Sequence, residues 1–114
     1  MARDKEPITQ TVQDYFGGWY DADAAWMGRA RHLDLVKRSP AEDDGAILAK
    51  ELLLRACAGG EGTGAAGRWV KIGIADVCGA IASAVVRSAP CREYRHLMRT
   101  GGGWKIADAL WLPR

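Results

Sequence analysis

Residues 70 to 112 hold four short runs in which apolar and polar side chains alternate, and turn signals cut the runs apart at Cys78-Gly79, Ala89-Pro90 and Gly101-Gly102-Gly103. Alternation with a period of two between such breaks predicts strands, and four in succession predict an antiparallel meander. A sheet with an apolar face must be covered, and the segment upstream has to supply the cover. That requirement makes the chain α+β, with the helices at its N-terminal end.

In the first run Val70, Ile72 and Ile74 alternate with Lys71 and Gly73. Gly79 suits a tight hairpin because glycine accepts a positive φ. The second run sets Ile81, Ser83 and Val85 against Ala80, Ala82, Ala84 and Val86, and two such small apolar faces predict a strand covered on both sides. In the third, Glu93, Arg95 and Leu97 share one face and Tyr94, His96 and Met98 the other. In the last, Trp104, Ile106, Asp108 and Leu110 oppose Lys105, Ala107, Ala109 and Trp111.

Upstream, Ile8, Val12, Tyr15, Phe16 and Trp19 recur at helical spacing, with residues 1 to 5 a frayed start and Pro7 in the first turn. Gly17-Gly18 weaken the end of this helix or let something pack closely against it. Asp21 or Asp23 can cap a second, short helix carrying Trp26 and Met27 inward. A short extended run ends at Pro40, and Ala46 to Ala58 reads as a third helix closed by Gly59-Gly60. The glycine-rich stretch that follows lacks the ending of a phosphate loop.

At 114 residues the expectation is one domain, residues 1–114. With 48% apolar and 26% charged residues and a net charge of +2, the chain is globular, with no basic run for nucleic acid or an acidic membrane surface. Cys57, Cys78 and Cys91 are an odd number at wide spacing, read as reduced thiols in a cytoplasmic protein. Neither a signal segment nor a membrane span is expected from the sequence. His32 and His96 stand 64 positions apart and match no metal-ligand spacing, so neither metal nor cofactor is expected.

The order helix, helix, short strand, helix and four-strand meander resembles the nuclear-transport-factor-2-like superfamily. The local words TVQDYFGGWYDAD, RHLDLVKRS, IADVCGAIASAVV and EYRHLMRTGGGWKIADALW resemble its SnoaL-like, lumazine-binding branch of small bacterial proteins. The resemblance runs from about Ile8 to Trp111; Leu33 departs from it, where relatives often carry proline. It implies a cone: a curved antiparallel sheet wrapped around the N-terminal helices, with a pocket between the concave face and the first helix, and a convex face that commonly pairs two subunits. It does not choose a reaction, because the superfold hosts isomerases, cyclases, dehydratases and plain binding proteins.

Ketosteroid isomerases share that fold. Their tyrosine falls on Tyr15, their base near Ser39 and their protonated acid near Arg95, so one role of three is kept. The candidate catalytic residues are therefore Tyr15, as hydrogen-bond donor to a ligand oxygen, Arg95, as a cation beside it, and Asp108, as proton carrier if buried. Trp19, Leu97, Trp111 and His32 are the candidate pocket wall. Each has a plainer reading: Tyr15 as core, Arg95 paired with Glu93, His96 at an interface, His32 with Asp34 in a cap. Arg95→Ala is expected to weaken an anionic ligand by about 1.5–3 kcal/mol and leave the fold intact. The expectation is a homodimer holding a small carbonyl or anionic organic molecule, acting as isomerase, cyclase or dehydratase of secondary metabolism; the alternative is a non-catalytic ligand-binding or dimerisation module.

Overall fold

A computed structural model describes residues 2–39, 47–49, 57–60, 68–89 and 91–113. Helix α1 spans Ala2–Tyr20 and α2 spans Ala24–Arg29. The strands are β1 (Arg31–Arg38), β2 (Ile47–Ala49), β3 (Val70–Cys78), β4 (Ile81–Ser88), β5 (Cys91–Thr100) and β6 (Gly103–Pro113). They form one sheet in the order β2-β1-β6-β5-β4-β3, with β1 parallel to β6 and every other neighbouring pair antiparallel. The fold is the expected α+β cone: a curved sheet wrapped around the N-terminal helices. Among the described residues no helix is long and apolar enough to cross a membrane.

The apolar stripe of α1 is its buried side. Ile8, Val12, Tyr15, Phe16 and Tyr20 are buried, and Trp19 packs at the edge of the same core. Thr11 joins helix to sheet, because its Oγ1 lies 3.2 Å from the Trp104 carbonyl oxygen as well as 3.0 Å from that of Pro7. The helix begins at Ala2 instead of near Pro7, so the proline sits inside it. Asp23 caps α2, its Oδ1 accepting from the Trp26 N–H at 2.9 Å.

The third expected helix is corrected at its start. Ile47–Ala49 is a strand, paired antiparallel with β1 through Val36↔Ala49, Lys37↔Leu48 and Arg38↔Ile47. A short apolar run has no period of its own, and the open edge of β1 decided it. Residues 57 and 58 are helical, as expected; residues 50 to 56 lie outside the described residues.

Bulges in β3 and β6 bend the sheet, and the β1–β6 pairing also shifts register between Arg31 and Val36. In β3, Ile74 faces Ala84 and Asp76 faces Ser83, leaving Ala75 extra. In β6, Ile106 faces Leu97 and Asp108 faces His96, leaving Ala107 extra. An extra residue bends the strand and reverses which side chains point inward beyond it. The concave face therefore carries Val70, Ile72, Ile74 and then Val77 on β3, and Trp104, Ile106 and then Ala109 on β6. On β4 the concave side is buried at Ala82, Ala84 and Val86, whereas Ile81 on the convex side is 61% exposed, so this strand is covered by its own chain on one face only.

The glycine pair of α1 is where α2 crosses. A Cβ on Gly18 would stand 2.5 Å from the Met27 backbone nitrogen and 2.7 Å from the Met27 Cβ, so the contact cannot be relieved by turning a side chain. Gly18→Ala is expected to cost roughly 1–3 kcal/mol, the scale of overpacking a filled core. Gly101→Ala, whose Cβ meets nothing within 4 Å, should stay within about 0.5 kcal/mol of the parent. Urea denaturation of the two variants measures the difference, and equal midpoints would show that the helix crossing tolerates a methyl group.

Candidate functional site

The interior of the cone contains charge. On β5, Glu93 and Arg95 point to the concave face with side chains 1% and 0% exposed. Arg95 donates through Nε to Glu93 Oε2, and its Nη2 also contacts that oxygen. The other carboxylate oxygen, Oε1, accepts from Lys37 Nζ on β1 at 3.0 Å and from the Cys91 thiol at 3.1 Å. Lys37 also donates to the Tyr15 hydroxyl at 3.3 Å. Rings enclose the two cations: the Arg95 guanidinium lies 4.0 Å from the Tyr15 ring centroid and 4.9 Å from that of Phe16, and Lys37 Nζ lies 5.1 Å from that of Trp111.

The sheet register builds this cluster. Arg95 stands opposite Ala84 and Ala109, small residues that leave room for the guanidinium and for α1 above it. Glu93 stands opposite Val86 and Trp111. Lys37 arrives on β1, and its amine crosses β6 to reach Glu93.

Burial by itself would push the Glu93 carboxyl up, but Arg95 first and Lys37 second outweigh it and hold it at about 2. Burial would push Lys37 and Arg95 down; for Lys37, Tyr15 and Glu93 reverse this, and for Arg95 mainly Glu93, so both stay charged. Burial followed by the Glu93 charge pushes the Cys91 thiol up to about 11, which leaves it protonated near neutrality and a poor nucleophile. The set thus carries two positive charges and one negative. Among the described residues, Arg95 Nη1 and Trp111 Nε1 are buried donors without an acceptor, and the buried Tyr20 hydroxyl has no hydrogen-bond partner.

Of the residues singled out from the sequence, Tyr15, Arg95, Leu97 and Trp111 all come to the concave side, and Trp19 is partly buried against the same core. His32 lies on β1, with its side chain outside the described residues. Asp108 does not join them. The bulge at Ala107 turns it to the convex face, where it is half exposed and bonds His96 Nδ1 at 2.8 Å. The same bulge brings Ala109 and Trp111 inward. Tyr15 stacks on Arg95 and accepts from Lys37. Nothing in the sequence marks Lys37, which is one more polar residue of the short extended run that ends at Pro40. Among the described residues no group of three or more His, Cys, Asp or Glu could hold a metal ion.

Glu93 makes the cluster sensitive to acid. A carboxyl held lower in the folded chain than in the unfolded one adds stability above the unfolded value, and that stability is lost as pH falls through the folded one. Urea-derived stability should fall from about pH 4.5 toward pH 2 by on the order of 3 kcal/mol on account of this group. Glu93→Gln should be less stable at pH 7 and show a shallower loss in acid. An unchanged acid profile in that variant would mean that Glu93 is not held down by its cations.

Comparison with known proteins agrees with this architecture. Among solved structures, an NTF2-like protein of unknown function from Silicibacter pomeroyi is 16% identical with a TM-score of 0.78, covering 99% of this chain and 98% of its own. NTF2-like proteins of unknown function from Shewanella baltica and Methylobacillus flagellatus are 17% and 16% identical, each with a TM-score of 0.73, covering 99% and 100% of this chain and 95% and 94% of theirs. At such identities the likeness shows the fold alone. No curated protein matches the chain. The family model described as "Putative lumazine-binding" matches residues 3–112, and this chain therefore belongs to that family.

Proposed function

We propose that this protein binds a small organic anion at the concave face of the cone, between α1 and strands β1, β5 and β6. The observation that carries this reading is the excess positive charge of the buried cluster: Lys37 and Arg95 share one carboxylate. Arg95 Nη1 and Trp111 Nε1 are left as buried donors with no acceptor among the described residues. A buried donor without an acceptor costs stability, and an anionic oxygen would supply one. The aromatic rings beside the cations suit a flat, unsaturated molecule. The family's description names lumazine as a ligand; in this chain the residues argue for negative charge and for no particular heterocycle.

Binding is better supported than turnover. Isomerisation, cyclisation or dehydration needs a group that takes up a proton. Among the described side chains, Glu93 is held ionised by two cations, Lys37 is held protonated, Cys91 keeps its proton, and Asp108 faces the other way. We therefore favour a ligand-binding module over an isomerase or cyclase. Cys57, Cys78 and Cys91 are free thiols, which suits a reducing compartment such as the cytoplasm.

The site is tested by comparing an aromatic carboxylate with its own amide. Millimolar 1-naphthoate should raise the melting temperature, and 1-naphthamide should not. Trp111→Phe keeps a ring and removes the Nε1 donor, so it should weaken naphthoate by about 5–10-fold, the worth of one hydrogen bond. Arg95→Ala is the poorer variant. Contrary to the expectation of an intact fold, it would leave Glu93 short of a buried partner, a loss of about 3–5 kcal/mol. Equal melting shifts from acid and amide would refute the anion site.

We also propose that two copies pair through the convex face. The pairing register sets Val85, Tyr94 and Leu110 side by side on β4, β5 and β6, and Tyr94 and Leu110 are each more than half exposed, as are Ile81 and Leu112 on the same face. Adjacent exposed apolar side chains on one sheet face are typical of an interface. Light scattering at micromolar concentration should give twice the chain mass, and Leu110→Arg should give one chain mass. A wild-type monomer would rule the pairing out.

A further inference from the structure

The convex face is laid out in rows of directly paired residues, and the row at one end is basic. Lys71 on β3 faces Arg87 on β4, which faces Arg92 on β5. In the single chain all three are exposed, and among the described residues none has an ion pair; the row continues to Leu112, opposite Arg92, and so borders the surface proposed to pair two copies. Like charges directly opposite one another destabilise a sheet, so such a row is an unfavourable arrangement for folding alone. Trp69, immediately before β3, is 42% exposed, and Lys71 Nζ lies 5.8 Å from its ring centroid. Trp69, Lys71, Arg87 and Arg92 together line a groove of about 620 Å³. Among the described residues, the carboxylates of this face, Asp76 and Asp108, stand two rows away, opposite Ser83 and His96.

We propose that this groove binds an organic diphosphate carrying a planar ring, the chemistry of a nucleoside diphosphate. Neighbouring strands are about 4.8 Å apart, so the three cations extend over roughly 10 Å. A single carboxylate has too little charge and reach to engage all of them. A diphosphate carries two to three negative charges on adjacent groups, and each guanidinium can hold two of its oxygens. The exposed Trp69 ring at the end of the row offers a stacking surface to a base. The site is separate from the buried cluster, because Arg87 and Arg92 lie on the convex side of the strands whose concave side carries Glu93 and Arg95.

Isothermal titration with adenosine diphosphate, pyrophosphate and adenosine tests the assignment on the full chain. Adenosine diphosphate should bind, pyrophosphate should bind several-fold more weakly, and adenosine should give no heat. Arg87→Gln should weaken adenosine diphosphate by about tenfold, the scale of one charged hydrogen-bonded contact. Trp69→Ala should bring its affinity down to that of pyrophosphate. Unchanged melting temperatures would show that both variants fold. No binding of adenosine diphosphate at millimolar concentration, or equal affinity in Arg87→Gln, would overturn the proposal. Tighter binding of a short single-stranded oligonucleotide would replace it with a nucleic-acid surface. A shift of Arg87→Gln from dimer to monomer, with no change in nucleotide affinity, would assign the row to a contact between copies.

Discussion

The buried carboxylate of Glu93 is the constraint around which the cone closes. An isolated ion in such a place would cost many kcal/mol, so the chain must bring cations to it and keep them there. Arg95 comes from the same strand, two residues along, and Lys37 comes from β1 on the far side of β6. Tyr15 and Phe16 of α1 then cover the guanidinium. The interaction therefore specifies which face of β5 is inward, how far β1 sits from it, and which turn of the helix lies above. It contributes more to the uniqueness of the arrangement than to stability in the usual sense, since a well-packed apolar core can be as stable as a buried ion pair.

Shape follows from smaller devices that let this cluster form. The bulges at Ala75 and Ala107 curl the sheet around α1, and the small residues Ala84 and Ala109 make a trough for Arg95. Gly18 lets α2 touch the backbone of α1, which brings the chain to the start of β1 close to the core. Thr11 and the Ala30 carbonyl oxygen, which accepts from the Ile106 N–H at 2.9 Å, fasten the helices to β6. Each device acts on geometry. The chemistry is left to a few side chains held by packed elements, the condition for a preorganised site.

The two faces of the sheet are physically different. The concave face has its charges compensated in part and closed off from water, where each is worth more. The convex face has exposed apolar side chains in its middle, a basic row at one end and the His96–Asp108 pair beyond them. The described residues thus present a buried polar centre on one face and a broad patterned surface on the other. Binding at one need not disturb the other, because the sheet backbone separates them.

By itself the sequence determined the class and most of the elements. Alternation in residues 70 to 112 carried the meander, the helical spacing of Ile8, Val12, Tyr15 and Phe16 carried α1, and the residue words carried the family. It also put Arg95 and Glu93 on one face, since residues two apart in a strand point the same way. Tertiary structure decided what local pattern cannot encode. The extra residue Ala107 reversed the inward set of β6, exchanging Asp108 for Trp111, and a bulge leaves no mark in hydrophobic period. Ile47–Ala49 became a strand because β1 had an edge to fill. Lys37 became part of the buried centre because a parallel pairing with β6 placed it there, across more than fifty residues of chain from Glu93. Contacts at that separation depend on the register of strands that are not neighbours in sequence, so side-chain spacing could not reveal them.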